Sequence, residues 1–394
     1  MTLLGWLIFI VALLFSIMLH EAGHFATAKK FRMKVTQFFV GFGRTLWSTK
    51  RGETEYGVKA IPAGGFVKIV GMTALEDVEP DDEARSFRRQ PGWQRIIVLA
   101  AGSFMHFALA FVLLFGMAVG IGLANSNSAT VGVIDPCVPT SQTAAGCVKS
   151  DPKSPAVKVG LQAGDKIIAL GGVPVHNWTQ LGRAIRNHPA GSTVAVTLLR
   201  HGRQITLHPS LAAIRGRKGA YLGISPTVVF QPVSPVRGIT AAGSQFGQIV
   251  TGSVGAVGAI PAAIPELFSK NRSSTAGGQV TSIVGAGEVT GQAFALNVSW
   301  QLKITVVLDI IVSLNIFVGL FNLLPLLPLD GGHLAIVIYE RARAWLARLR
   351  GKPDPGLVDM RKLLPVSVGV FALLVGFGLI LIMADLVNPI HLPQ

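Results

Sequence analysis

Hydrophobic positions fall into four long blocks separated by mixed stretches. Residues 2–28, 95–124, 301–328 and 364–388 are nearly unbroken runs of apolar and small residues. At about 1.5 Å per residue each is long enough to cross about 30 Å of hydrocarbon, so each predicts a transmembrane helix. Between the first two, "ETEYGVKAIPAGGFVKIVGM" (residues 53–72) alternates in places and is interrupted by Pro62, Gly64 and Gly65, which predicts a bent β-hairpin with an unpaired edge. Residues 126–211 read differently. "SPAVKVGLQAGDKIIALGGVPV" predicts a short helix, a glycine turn and a strand; "NWTQLGRAIRNH" predicts an amphipathic helix; "STVAVTLLRHGRQITLHPSL" predicts a hairpin turning at His201 and Gly202.

Composition agrees with the blocks. Half of the 394 residues are hydrophobic and only 14% are charged, with a positive mean hydropathy of +0.52, too apolar for an ordinary soluble chain. The net charge of +15 raises nucleic acid as a partner, but the basic residues gather beside apolar blocks. Lys29, Lys30, Arg32 and Lys34 follow the first, and Arg341, Arg343, Arg348, Arg350 and Lys352 follow the third. Positive charge flanking spanning helices marks the cytoplasmic side, so the charge gives orientation. With both clusters inside, the N-terminus is outside and residues from about 125 to 300 are extracytoplasmic. The first block is expected to be retained: it has no basic stretch before it and is too long for a signal peptide, although "ATA" (residues 26–28) resembles a cleavage site.

The chemistry enters at the tail of the first block, where "LHEAGHF" (residues 19–25) interrupts the apolar run. His20 and His24 lie one helical turn apart on one face, the spacing at which two imidazoles grip one metal ion, and Glu21 beside them is free to act on water. Ionisable groups in a spanning helix are costly and point to function. A catalytic zinc site needs a third protein ligand. Asp309, Asp330 and Asp385 are the acids in or beside spanning blocks. His20 lies about 28 Å down a helix that enters from outside, near the inner boundary, and only Asp330, just before the inner basic cluster, matches that depth. In "NLLPLLPLDGG" (residues 322–332) two prolines break the helix and two glycines admit close backbone approach. Broken helix at membrane depth lines protein or a watery cavity. Asn322 there donates to a developing oxyanion, or holds the substrate backbone, or caps the broken end.

These residues resemble the bacterial site-2 proteases, intramembrane zinc metalloproteases that include the regulator of sigma-E protease: "HEAGH" on a first spanning helix, "NLLPLLPLDGG" on a later one, and a peptidase-type PDZ module between them. The resemblance covers nearly the whole chain. It implies Zn²⁺ held by His20, His24 and Asp330, Glu21 as catalytic base, and a β-hairpin that dips into the membrane near the site. It also implies single-span substrates such as anti-sigma factors, already trimmed outside by another protease. The sequence departs from the family's pattern twice: Pro328 falls one place late, and His106 stands where helix two usually carries a small or amide residue. His106 is about 16 Å into its helix, so it is a fourth ligand, a hydrogen-bonding group for substrate or water, or a packing residue.

The expected architecture is an α-helical integral membrane protein of about four transmembrane helices with a membrane-dipping hairpin and an inserted extracytoplasmic α+β PDZ domain. Residues 1–124 form the first membrane half, 125–211 the PDZ domain, 212–300 an extracytoplasmic connection and 301–394 the second membrane half. Residues 238–265 carry no charge, but a fifth crossing would separate the zinc ligands by the bilayer, so an interfacial amphipathic helix is expected. Cys137 and Cys147, ten apart on the oxidising side, predict a disulfide. The expected function is an intramembrane zinc endopeptidase of the bacterial inner membrane, with the bilayer and single-span proteins as partners and no nucleic acid. Two other classes use the same features: a membrane metal transporter or sensor, which would need a polar through-path, and a PDZ scaffold, which would not need Glu21.

Overall fold

The computed structural model describes residues 2–72, 76–139, 147, 151–214, 219–269, 272, 280–295 and 298–390. In chain order these form α1 (Thr2–Lys30), β1 (Val35–Arg51), β2 (Thr54–Ile69), a one-turn α2 (Pro80–Glu83), α3 (Gly92–Gly116), β3 (Leu123–Asn125), β4 (Val131–Ile134) and a one-turn α4 (Pro155–Lys158). They continue with β5 (Lys166–Leu170), β6 (Val173–Pro174), α5 (Trp178–Asn187), β7 (Val196–Arg200), β8 (Arg203–Leu207), β9 (Ile224–Pro226) and β10 (Val229–Gln231). The last elements are α6 (Pro235–Leu267), α7 (Ile283–Ala295), α8 (Trp300–Asn322), α9 (Asp330–Leu349) and α10 (Leu364–Val387). The chain divides into two compact units, Met1–Ala118 with Pro235–Gln394, and Val119–Ser234.

In the first unit, Leu3–Lys30, Gly92–Ile121, Trp300–Asn322 and Arg361–Val387 are long and apolar enough to cross a membrane. The chain is thus a multi-pass membrane protein. The third block ends six residues earlier than its hydrophobicity suggests. Pro325 and Pro328 remove backbone donors, so α8 stops at Asn322 and the chain turns before α9 begins at Asp330. Gly331 makes that turn possible: a Cβ there would collide with the backbone of Leu323 and Leu324.

β1 and β2 form the expected bent hairpin, and the bend goes further than a kink. Each strand folds back on itself, so Gln37–Val40 pairs on one side with 65–68 and on the other with 55–58. Stacked rings hold the layers, with Phe39 5.7 Å and Phe42 6.1 Å from Phe66. The turn at Glu53 is tied to the end of α1 by Lys29 at 2.7 Å and to the segment after α2 by a two-pronged pair with Arg85 at 2.8 Å. The hydrogen bonds from Arg85, ahead of those from Lys29, hold the Glu53 carboxyl down to about 2.

Residues 238–265 fall within α6, which is helical as expected and longer. Its contact departs from the expectation of an interfacial helix. Ala242, Phe246, Ile249 and Val250 pack in one cluster with Ala110 and Leu114 of α3 and Val312 and Ile316 of α8. Spacing at i, i+4, i+7 and i+8 makes one continuous apolar stripe, and the stripe is buried against two of the spanning helices.

The main core of the second unit is built from Val131, Ile167, Leu181, Val196, Leu198, Leu211 and Leu222 among others, and a smaller cluster joins Val138, Ile214 and Tyr221. Its main sheet has the order β6-β5-β7-β8; β4 pairs with β9, and β3 with β10. The expected boundary at 211 is therefore too early, because the strands that close the unit lie at 224–231. Ser154 caps α4 and Asn177 caps α5 through their side-chain oxygens. Asp165 is 1% exposed and takes a forked pair from Arg200 at 2.7 Å. Burial raises that carboxyl and the guanidinium outweighs it, so it sits below its ordinary range. Cys137 and Cys147 are bridged, with Cα atoms 5.8 Å apart.

Candidate metal centre

α1 brings His20 and His24 onto one face, as i and i+4 spacing requires. Both rings are buried, 8% and 3% exposed. The break after α8 brings Asp330 to them as the first residue of α9. The Nε2 atoms of His20 and His24 lie 3.1 Å apart, and Asp330 Oδ2 lies 3.2 Å from the first and 3.3 Å from the second. Three ligands about 2.0 Å from one zinc ion at tetrahedral angles would be about 3.3 Å apart, so the triangle has the dimensions of three corners of a zinc tetrahedron. No other group of three or more His, Cys, Asp or Glu among the described residues is so arranged.

Proton placement supports the same reading. His24 Nδ1 lies 2.7 Å from the Val98 carbonyl oxygen, which can only accept, so Nδ1 carries the hydrogen and Nε2 turns its lone pair to the centre. Gly102 of α3 gives the two rings their room. A Cβ at this position would lie 2.5 Å from His24 Nε2 and 2.6 Å from His20 Nδ1. Two imidazole nitrogens and a carboxylate with a fourth corner open are the donor set of a catalytic zinc site.

Glu21 is on the same turn, and a Cβ at Gly65 of β2 would lie 3.5 Å from its Cγ. The last stretch of β2 therefore runs beside the only acid on this turn of α1. Asn322, expected at the scissile carbonyl, is the half-buried last residue of α8, and none of the hydrogen bonds around the cluster uses its amide.

The structure also brings in groups that the sequence left open. His106 is 3% exposed with its ring 5.0 Å from that of His20. Its Nδ1 meets Asn315 Oδ1 at 2.8 Å, while the Asn315 amide donates to Ser16 Oγ at 3.1 Å and to the Ile311 carbonyl at 2.8 Å. That chain joins α1, α3 and α8 and fixes His106 with its Nδ1 hydrogen toward Asn315. His106 is thus outside the triangle of ligand atoms and next to it. Ser16 lies four residues before His20, a helical-face signal that the sequence contained; Asn315 had no such neighbour. Asp385 is elsewhere, paired with Arg272 at 2.5 Å. Asp309 is half-buried on α8.

The fold and the site define a zinc metalloprotease set among membrane-spanning helices. A family model described as Peptidase family M50 matches residues 8–352, and the chain belongs to that family. It is 35% identical over 411 residues to the zinc metalloprotease Rip1 of Mycobacterium tuberculosis and 34% identical over 413 residues to Rip1 of Mycolicibacterium smegmatis, with 99% of each chain covered in both cases. Among solved structures, the PDZ domain of the SdrC-like protein from Listeria monocytogenes is 26% identical, covering 25% of this chain and 90% of that one, at a TM-score of 0.18.

Proposed function

We propose that this intramembrane zinc protease cuts single-span membrane proteins, anti-sigma factors among them, inside their membrane segments, with His20, His24 and Asp330 as the zinc ligands. The observation that carries the reading is the triangle of ligand atoms at zinc dimensions with Glu21 on the same helical turn. Zinc supplies Lewis-acid activation of water and polarisation of the scissile carbonyl. Glu21 accepts the proton of the attacking water and passes it to the leaving amine. Val98 holds the His24 tautomer, and Asn322 donates to the carbonyl oxygen as charge develops.

A helical peptide bond is shielded and already hydrogen-bonded, so the substrate is cut in extended form. The edge of β2 next to Glu21 supports strand addition as the way it is held. The far end of the hairpin exposes Phe42, Leu46, Trp47 and Ile61, and this end dips into the membrane. Residues 119–234 act as an extracytoplasmic PDZ domain, taking extended peptide in the groove between α5 (Trp178, Gly182, Ile185) and the stretch Ala220–Ser225, and excluding untrimmed substrates. The N-terminus is outside and the membrane is the bacterial inner membrane, a reading supported by the basic clusters after α1 and along α9.

The test is incubation of the purified protein with single-span candidates, comparing wild type, Glu21→Gln and chelator. Cleavage by the wild type alone is expected; cleavage that survives both treatments ends the reading.

A further inference from the structure

α9 starts in the metal centre and ends somewhere quite different. Glu340, just past its middle, takes a hydrogen bond from Arg95 at 2.9 Å, and Arg341 packs so closely on Gly92 that a Cβ there would lie 2.6 Å from its Cδ. Residues 340 and 341 are therefore level with the first turn of α3, where that spanning helix begins. The remaining eight residues of α9 run about 12 Å beyond that level, through the depth of a headgroup layer and its margin.

That last stretch has an unusual surface. Trp345 is 63%, Leu346 41% and Leu349 65% exposed, and Arg348, Arg350 and Lys352 are exposed beside them. No acid occurs between residues 341 and 353. The nearest acids are engaged: Glu340 with Arg95 and the Val358 N–H, Asp354 with the Gly356 N–H and Asp359 with the Arg361 N–H. Arg343 binds the carbonyls of Pro355 and Gly356, which folds the following loop back onto α9. Arg361 and Lys362, exposed at the head of the fourth span, return with it.

We propose that this surface, Trp345 to Lys352 with Arg361 and Lys362, is a docking site for anionic phospholipid headgroups. Charge complementarity selects the occupant. Five cations lie together here, Arg348, Arg350 and Lys352 at the end of α9 and Arg361 and Lys362 at the head of the fourth span, and a polybasic cluster beside a spanning helix is attracted to an anionic leaflet. The exposed Trp and Leu side chains suit the half-apolar boundary of a bilayer and would have no favourable place in water. Since α9 opens with Asp330, the same lipids hold the far end of the helix that delivers a residue of the metal triangle. The inference goes beyond the proteolytic reading and does not depend on it.

The full chain in neutral detergent is titrated with fluorescent phosphatidylglycerol. Each Lys or Arg near an anionic surface is worth about fivefold in binding, so Arg348→Gln, Arg350→Gln and Lys352→Gln together are expected to weaken binding about a hundredfold. Removing three exposed cations elsewhere, Lys158→Gln, Arg183→Gln and Arg203→Gln, is expected to leave it unchanged. In vesicles containing lipids brominated near the headgroup, wild type is expected to show more tryptophan quenching than Trp345→Phe. Equal loss in both triple variants, or equal quenching with and without Trp345, overturns the proposal. Competition by inorganic phosphate as strong as by the lipid would mean a free-anion site and overturns it too.

Discussion

Asp330 and Asp385 are both largely buried carboxylates at the ends of long helices, and their surroundings answer them in opposite ways. Asp385 accepts from Arg272 at 2.5 Å, from the Ser282 N–H at 2.7 Å and hydroxyl at 2.5 Å, from the Gly285 N–H at 3.2 Å and from the Thr281 hydroxyl at 3.2 Å. Five donors, one of them cationic, complete it, and the arrangement caps the N-terminus of α7. Asp330 meets two imidazole nitrogens, and the His24 tautomer set by Val98 leaves no hydrogen on His24 Nε2 to donate. A buried carboxylate with one neighbour turning a lone pair toward it and no cationic donor beside it is left incomplete until a cation joins it. Burial of an acid in a membrane helix therefore does not by itself separate structure from chemistry; the supply of donors around it does.

The comparison can be broken in order of effect. On the proposed mechanism Glu21→Gln removes the proton acceptor and no ligand atom, so cleavage should fall by about a hundredfold or more while zinc stays bound; metal analysis of the purified variant beside a cleavage assay checks both halves. Gly102→Ala pushes a methyl group into the two imidazoles, and zinc content and activity should fall together although the helices remain. Retention of stoichiometric zinc by this variant would show that the two rings can shift.

The two aspartates should then part company. Asp330→Ala should lose zinc with little change in melting temperature. Asp385→Ala should instead lower stability by about 3–5 kcal/mol, because it strands the Arg272 guanidinium in a buried place, while the folded fraction keeps its zinc. Loss of zinc from the Asp385 variant at temperatures where it is folded would erase the distinction. A smaller effect concerns an ion pair near the surface. Glu53 has its carboxyl lowered from the ordinary 4.5 to about 2 by Arg85 and Lys29, so its stabilising contribution is complete above about 4.5 and is lost as pH falls toward 2. The site is partly open to solvent, so the contribution is about 1 kcal/mol or less. Glu53→Gln should flatten the acid limb of a melting-temperature profile by that amount and leave the neutral limb lower.

How much of this was legible in the sequence follows from the range of the interactions. Four runs of apolar residues mark four spans because length and hydropathy are local quantities. His20, Glu21 and His24 share a face because helical period is local too, and Asp330 could be chosen over Asp309 and Asp385 because depth along a spanning helix is counted in residues. Those arguments need no partner strand or helix.

Other features depend on pairs far apart in the chain, and nothing in a local pattern names the partner. Residues 212–234 have the local pattern of a connection, yet β9 and β10 within them pair with β4 and β3, roughly a hundred residues earlier. Residues 238–265 showed a helix but not the neighbours that bury its stripe. The folding back of β1 and β2, the meeting of His106 with Asn315 across 209 residues, and the completion of Asp385 by Arg272 from 113 residues away were likewise decided in three dimensions. Sequence by itself determined which residues must lie at one depth and on one face, since backbone geometry repeats along the chain. Tertiary structure alone decided which buried polar groups find donors and which are left facing each other, since that depends on what the rest of the molecule packs beside them.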